Sequence, residues 1–238
     1  MVKKMRALED DEKAGVSVTQ DNALVSASYV LTLAEKRVLL LATSKINPFS
    51  KHWLENGEVE VSAQDLVNIF GIDQKSSYRV LKESLDKLAN RWVWLSPTEK
   101  IRWLSRQKYS EGQGEIVFNF SREMVMNLSG MVDYFTSYKI MAASGFKSVY
   151  SIRIYEFCKQ YENTGIRIDT VESLRSMLGT EYKYSSWSLF RQFAIKPAVK
   201  EINEKSDITV RFEVVKKGRN IHAVKFLIDR NTQYQLPL

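Results

Sequence analysis

The feature that most constrains this chain is an internal duplication, in which two blocks of similar pattern lie about 108 positions apart. In each block, two alternating β-branched residues precede a short segment that ends in glycine, Gly71 in the first copy and Gly179 in the second. Leu66 and Leu174 hold matching positions within that segment. The repeat predicts two copies of one small fold, each built from the same succession of elements.

Each short segment carries the start and stop signals of a helix. Ser62 and Asp169 are candidate caps because their side chains can accept backbone N–H hydrogen bonds, and the closing glycine can adopt the left-handed conformation. A longer amphipathic helix and a pair of strands follow in each copy. The order helix, strand, helix, helix, strand pair is that of a winged helix-turn-helix. We therefore expect an α+β fold of two tandem winged-helix domains related by internal duplication.

The chain divides into an arm and two domains. Residues 1–19 have mixed charge and lack the apolar stretch of a signal peptide, so they are expected to form a mobile arm. Residues 20–137 form the first predicted domain and residues 138–238 the second, with residues 130–137 as the passage between them. A length of 238 residues and 44% apolar content allow each domain its own core.

Several classes of function are not expected from the composition. No apolar run approaches the roughly 18 residues needed to span a bilayer, so we expect no membrane partner. Cys158 is the only cysteine, which excludes an internal disulfide, favours a reducing cytoplasm and suits a small core residue better than a nucleophile. His52 and His222 stand alone, so neither a metal site nor a DNA-nicking centre is expected. A Gly-x-x-x-x-Gly-Lys phosphate loop is also missing, and we expect no cofactor and no enzymatic activity.

Positive charge is concentrated near the carboxyl end. The net charge is +7, and residues 182–230 hold 11 Lys or Arg against five acids. A basic excess confined to one helix and one hairpin suits a polyanion such as nucleic acid. Charge alone supports a merely solvated basic face equally well, so the fold has to decide between the two interpretations.

The long helix predicted from Ser186 to Glu204 is the candidate for the DNA major groove. Its apolar residues fall on one side of a helical wheel, and a polar row at i, i+4 spacing occupies the other. Residues early in such a helix approach the base edges. The expected base readers are Ser186, Ser188, Arg191 and Gln192. Pro197 removes a backbone donor, and a bend is expected there.

Other residues of the second domain are expected to contact the DNA backbone and to set the register of the helix. They lie before the helix, late in the helix and at the tip of the strand pair. These residues are Lys183, Tyr184, Lys196, Lys200, Lys216, Lys217, Arg219 and Asn220. For any one of them, an exposed side chain without a partner is the competing interpretation.

The matching helix of the first domain is closer to neutral. Lys75, Ser77 and Arg79 are assigned to its polar side and are expected to contact the DNA backbone. The strands that follow are rich in tryptophan, including Trp92 and Trp94, and offer apolar edges for self-association. Core packing of these tryptophans is the favoured alternative, so dimerisation through the first domain is a hypothesis.

Several short motifs form a specific combination. They are Tyr150-Ser151-Ile152-Arg153-Ile154-Tyr155-Glu156, Phe190-Arg191, Lys196-Pro197-Ala198, Lys200-Glu201-Ile202-Asn203 and Lys217-Gly218-Arg219. Together with residues 33–47 and 78–91, they resemble the replication initiator (Rep) proteins of iteron-containing bacterial plasmids. The chain departs from the family at Arg191-Gln192-Phe193, where members often carry a basic run, and this leaves open which bases are read.

The resemblance implies a sequence-specific protein that binds directly repeated sites at a plasmid origin as a monomer and starts replication. It also implies dimerisation through the first domain and repression of the protein's own promoter at an inverted repeat. The implied partners are double-stranded DNA, a second copy of the chain, the host initiator ATPase and the replicative helicase, in the bacterial cytoplasm. A dedicated winged-helix transcriptional repressor has the same fold and is the alternative.

Overall fold

The computed structural model describes residues 16–109, 114–129 and 134–234, which mix helices and strands. The strands are β1 (Ser17–Asp21), β2 (Glu58–Ser62), β3 (Trp92–Ser96), β4 (Glu99–Arg102), β5 (Leu104–Tyr109), β6 (Glu115–Phe120), β7 (Phe135–Lys139), β8 (Ile166–Thr170), β9 (Ile208–Lys217) and β10 (Asn220–Arg230). The helices are α1 (Asn22–Val25), α2 (Leu33–Ser44), α3 (Lys51–Asn56), α4 (Ala63–Phe70), α5 (Gln74–Leu88), α6 (Arg122–Leu128), α7 (Ile140–Ser144), α8 (Val149–Gln160), α9 (Val171–Met177), α10 (Trp187–Phe190) and α11 (Lys196–Lys205), and a π-helical segment (Arg191–Ile195) joins the last two.

The two halves of the chain repeat one topology. In the first half, the order is α2, β2, α4, α5 and then the strands β5 and β6, which join β2 in a sheet of order β2-β6-β5. In the second half, the order is α8, β8, α9, the helical segment 187–205 and then the strands β9 and β10, which join β8 in a sheet of order β8-β10-β9. In both sheets, the strand after the leading helix pairs antiparallel with the last strand of the unit. The prediction of two winged-helix domains is confirmed.

Helix capping follows the sequence-based prediction in the first copy and departs from it in the second. Ser62 caps α4, and Gly71 ends it with a φ of 62°. The predicted cap Asp169 lies in β8 instead, where its carboxylate Oδ2 accepts a hydrogen bond from Nε of Arg167 at 2.7 Å. Because this ion pair holds the carboxylate against the strand, Thr170 caps α9 in its place.

The first domain carries elements that the described residues of the second domain lack, among them α3 and the sheet of β3 and β4. α3 occupies the loop around Trp53, and β3 and β4 form a separate two-stranded sheet. β4 and β5 are separated at Trp103, because that indole is buried and packs edge-on against Tyr29 with ring centroids 5.2 Å apart. The wing of this domain is therefore β5 and β6, and most of the turn between them lies outside the described residues.

The amino-terminal end of the described chain is a strand. β1 pairs antiparallel with β7, with Val18 opposite Tyr138 and both side chains buried. The predicted mobile arm is therefore wrong for residues 17–19, while residues 1–15 lie outside the described residues. Residues 135–137 of the predicted passage lie in β7, and the predicted domain boundary after residue 137 falls inside this strand. The pairing of β7 with β1 ties both ends of the first domain together.

A buried cluster of charged and hydroxyl groups joins the leading helices of the two domains. Lys36 in α2 and Glu156 in α8 form an ion pair, with Nζ and Oε1 2.8 Å apart and both side chains inaccessible to solvent. Arg153, also in α8, donates to the hydroxyl of Tyr29 and, at 2.8 Å, to the carbonyl of Ala27. These contacts link the two domains directly.

One carboxylate, that of Glu156, faces both cations of this cluster. Burial raises the pKa of Glu156, but the positive charges of Lys36 and Arg153 outweigh burial and leave that pKa below its ordinary value. The hydroxyl of Tyr138 and the amide of Gln20 also donate to the same carboxylate oxygen, at 2.7 and 2.9 Å. Removing Glu156 would leave two buried cations without their counter-charge.

Candidate nucleic-acid interface

Residues 187–205 form one helical segment of the second domain, which we call the recognition helix. It consists of α10, the π-helical segment and α11. Its inner side is buried, as the helical wheel predicts, and the buried residues include Phe190, Ala194, Ala198 and Ile202. Ser186 caps its start by accepting a hydrogen bond from the backbone N–H of Leu189. Core contacts therefore fix which side of the helix faces outward.

The outer side of the recognition helix is open to solvent. Its exposed polar residues include Ser188, Arg191, Gln192, Lys196 and Lys200. The guanidinium of Arg191 lies 5.8 Å from the ring centroid of Phe212 in β9, on the side of the strand pair. Lys200 forms an exposed pair with Glu204 at 3.8 Å, a contact too solvated to hold it firmly. A row of exposed donors and acceptors is the surface that a major-groove helix presents to base edges.

The irregularity expected at Pro197 takes the form of a change in helix type. The backbone N–H of Lys196 donates to the carbonyl of Arg191, five residues back, which closes the wider π turn. In a regular helix, the proline ring would crowd the carbonyl four residues earlier. The π turn avoids that crowding, and α11 begins with Pro197 in its first turn, where a missing N–H costs little.

Arg175 in α9 organises the loop that leads into the recognition helix. Its guanidinium donates to the carbonyls of Lys183, Tyr184 and Ser186, at 3.0, 2.8 and 3.1 Å. The same group lies 4.5 Å from the ring centroid of Phe190. Sequence reasoning missed this residue, since only the folded loop brings the three carbonyls to one side chain. Lys183 in this loop is exposed and Tyr184 is half-buried.

The strand pair β9 and β10 forms the wing of the second domain and ends in the basic tip that is predicted to contact the DNA backbone. Gly218 turns the chain there with a φ of 64°, a conformation that glycine adopts without strain. The tip residues Lys216, Lys217, Arg219 and Asn220 are all exposed. Within the described ranges no acid pairs with these three cations, whereas Arg211 and Lys225 on the same strands lie 3.7 and 3.9 Å from acidic partners. The tip therefore presents charge that no acid of the described ranges neutralises.

The first-domain helix α5 offers a weaker surface. Lys75 and Arg79 are exposed, but Arg79 is paired with Glu83 at 3.2 Å. The expectation for Ser77 is wrong, because this residue is buried and its hydroxyl donates to the carbonyl of Gln74 at 2.9 Å. Packing against the core turns this position inward, so it has no group left for a phosphate.

The single cysteine, Cys158, is a buried core residue. Burial raises the pKa of the Cys158 thiol to about 12, which makes a thiolate nucleophile unfavourable. In the parts of the chain that the structure describes, no three His, Cys, Asp or Glu side chains are grouped as metal ligands. Over the same residues, no helix has both the length and the apolar character needed to cross a membrane.

Sequence models of a known family match both domains. The model described as "Initiator Replication protein, WH1" matches residues 17–159, and the one described as "Initiator Rep protein, WH2" matches residues 170–228. The chain belongs to the replication initiator (Rep) protein family. As a member, this Rep protein is a plasmid replication initiator with DNA-binding winged-helix domains, which confirms the predicted family.

Relatives of this Rep protein carry matching descriptions. A "Replication initiation protein" of Escherichia coli is 24% identical over 231 residues, which covers 92% of this chain and 71% of the relative. The "PI protein" of Escherichia coli is 29% identical over 239 residues, which covers 82% of this chain and 77% of the relative. A crystal structure of the Pi initiator protein in complex with iteron DNA matches with a TM-score of 0.77 and 24% identity, over 91% of this chain and 98% of that one. This likeness shows a shared fold.

Proposed function

We propose that this Rep protein binds directly repeated double-stranded sites, or iterons, at a plasmid origin and reads their sequence with the recognition helix. The observation that supports this most directly is the exposed polar row on that helix, beside a wing tip whose cations have no acidic partner in the described structure. An α-helix fits the major groove, where each base pair presents a distinct set of hydrogen-bonding groups. The iteron complex of the similar Pi initiator protein supports the same class of DNA site.

Base reading is assigned to the first half of the recognition helix. Arg191 can form paired hydrogen bonds with guanine, and Gln192 can do so with adenine. Ser188 shares the exposed row with Gln192, so it can donate to or accept from a neighbouring base edge. Ser186 accepts the Leu189 N–H, which leaves its hydroxyl proton free to donate.

Phosphate contacts are assigned to residues that flank this reading surface. They are Lys183, Tyr184, Lys196, Lys200, Lys216, Lys217, Arg219 and Asn220, with Lys75 and Arg79 in the first domain. The cations among them can neutralise phosphates and release counterions, which gives affinity without sequence preference. Because Arg175 holds the loop carbonyls around Tyr184 in place, the loop can set the register of the helix on the duplex.

Self-association through the first domain is the second element of the proposal. Trp92 and Trp94 lie on the exposed side of the small sheet formed by β3 and β4, and Lys100 covers both rings, with centroids 4.5 and 5.1 Å from its Nζ. Exposed aromatic side chains on a strand pair offer an apolar surface to a second copy. As a dimer, the protein would repress its own promoter at an inverted repeat. The family resemblance supports the host initiator ATPase and the replicative helicase as further partners.

Footprinting of fragments selected from the source plasmid tests the proposed function. An initiator is expected to protect several phased direct repeats near the origin, with a separate inverted repeat at the promoter. Protection of a lone palindrome and no direct repeats would contradict the initiator assignment and favour a dedicated repressor. Selection of no preferred fragment at all would contradict sequence-specific binding itself.

A further inference from the structure

Two apolar side chains are exposed on the outer part of the recognition helix. Phe193 is 51% exposed and Leu189 is 38% exposed, although the helix has a complete buried face elsewhere. They are four residues apart and therefore adjacent on the helix surface. Each directly follows a residue of the polar row, Ser188 or Gln192. A helix that only needed solubility or phosphate contacts would not require apolar groups at these positions.

Phe193 is held by a column of aromatic rings. Its ring stacks on that of Tyr184, with centroids 5.8 Å apart and an interplanar angle of 18°. The ring of Tyr184 in turn contacts Tyr150 of α8 edge-on, with centroids 6.3 Å apart. The Phe193 ring is thus supported from the body of the domain while half of its surface stays open.

Tyr184 holds this position at a cost in backbone strain. Its φ is 55°, and among the described residues it is the only non-glycine residue with a positive φ. Such a conformation persists when the surroundings impose it, and Arg175 does so by donating to the Tyr184 carbonyl at 2.8 Å. Strain at a residue that supports an exposed ring beside a reading surface points to a role for that ring in binding.

We propose that Phe193 and Leu189 contact the C5-methyl groups of thymines in the major groove, and so add thymine specificity to the hydrogen bonds of the polar row. The thymine methyl is the apolar group that base edges present there, and phenylalanine is among the side chains that contact it. The proposal deepens the proposed function and rests on it.

Deoxyuridine substitution tests this contact, because it removes the methyl group and keeps every hydrogen-bonding group of thymine. Each thymine of the duplex protected in the footprint is replaced in turn, and affinity is measured by fluorescence anisotropy at one salt concentration. The wild-type protein is expected to bind about fourfold more weakly at the contacted thymines, the effect of removing one buried methyl group. Phe193→Ala and Leu189→Ala should each bind the unmodified duplex more weakly and show no deoxyuridine penalty at one of these positions.

Phe49→Ala is the matched control, because Phe49 is 52% exposed and lies in the first domain. This variant should keep the full deoxyuridine penalty, and thermal melting should show all three variants folded. Wild-type protein that prefers the protected duplex over a scrambled one, yet is insensitive to every deoxyuridine, would overturn the methyl contact alone. A penalty that persists in both helix variants would do the same. Equal wild-type affinity for protected and scrambled duplexes would contradict the proposed function as well.

Discussion

At the residue scale, Gly179 shows how one position serves both local conformation and domain contact. It has a φ of 61°, and a Cβ at this site would lie 2.5 Å from a side-chain methyl carbon of Val30. Its counterpart Gly71 has a φ of 62°, but nothing lies within 4 Å of the corresponding Cβ. The duplicated glycines thus share the conformational demand and differ in their surroundings, which makes them a matched pair.

We predict that Gly71→Ala destabilises the protein by about 1–2 kcal/mol, the cost of a left-handed residue that carries a Cβ. Gly179→Ala should destabilise the protein by about 1–3 kcal/mol more than Gly71→Ala does, because the new methyl group collides with Val30. Urea unfolding of the full chain measures both. Equal destabilisation of the two variants would contradict the close approach of Gly179 to Val30.

A second residue-scale prediction concerns Glu156. Its pKa is below the ordinary value of 4.5, so its contribution to stability is fully present above that pH and is lost as the pH falls through the lowered pKa. At neutral pH, Glu156→Gln should cost about 3–5 kcal/mol, because Lys36 and Arg153 lose their buried counter-charge.

The pH dependence separates this charge effect from a simple defect in packing. The stability difference between the wild-type protein and Glu156→Gln is expected to shrink below about pH 4.5, since protonation removes the same charge that the substitution removes. Chemical denaturation at a series of pH values measures the difference. A difference that stays constant down to the acid limit of folding would rule out the ion pair as its cause.

At the element scale, the wing is predicted to supply affinity without specificity. Lys216→Ala combined with Lys217→Ala should weaken binding to cognate and scrambled duplexes alike. The log-log salt slope should fall by about 0.9 for each phosphate that the variant no longer neutralises. The control is Lys225→Ala on the same strand pair, since Lys225 lies near Glu213 at 3.9 Å. An unchanged salt slope in the double variant would place the wing away from the DNA backbone.

The recognition helix was the element most accessible to sequence analysis. Its buried and exposed sides follow from the i, i+4 spacing alone, because a regular helix rotates each residue by a fixed angle. The π turn before Pro197 was not predicted in form, since it depends on how the chain relieves one local clash. The inward position of Ser77 was missed for a related reason, because packing against the core sets the rotation of α5.

Contacts between distant parts of the chain lay beyond the sequence pattern. Lys36 and Glu156 are 120 positions apart, and only the docking of two leading helices brings them together. The same holds for the pairing of Val18 with Tyr138, which turns a predicted arm into a strand. Asp169 had the chemistry of a cap, but Arg167 engages its carboxylate once β8 has formed. Repeats and helical periods are read from the order of residues along the chain. Tertiary packing determines the ion pair, the strand pairing and the capping residue described above.

At the scale of the whole molecule, self-association is predicted to depend on the small sheet of the first domain. The paired substitution Trp92→Ser and Trp94→Ser in the full chain should shift the protein from dimer toward monomer, because both indoles are exposed. Sedimentation velocity at high protein concentration measures this, with Phe49→Ser as the control for removing an exposed aromatic ring. Wild-type protein that remains monomeric at every concentration would contradict the dimer.

The central claim is that the recognition helix reads base edges in the major groove. The most direct measurement compares the affinities of the Arg191→Ala/Gln192→Ala variant for the footprinted duplex and for a scrambled one, beside wild-type protein and Lys200→Ala. Removing each pair of hydrogen bonds to a base should reduce discrimination by about 1–3 kcal/mol, so the two affinities of the double variant are expected to converge while its melting temperature is unchanged. Lys200→Ala should weaken both affinities and keep the difference between them. Undiminished discrimination by the double variant would contradict the assignment of base reading to this helix.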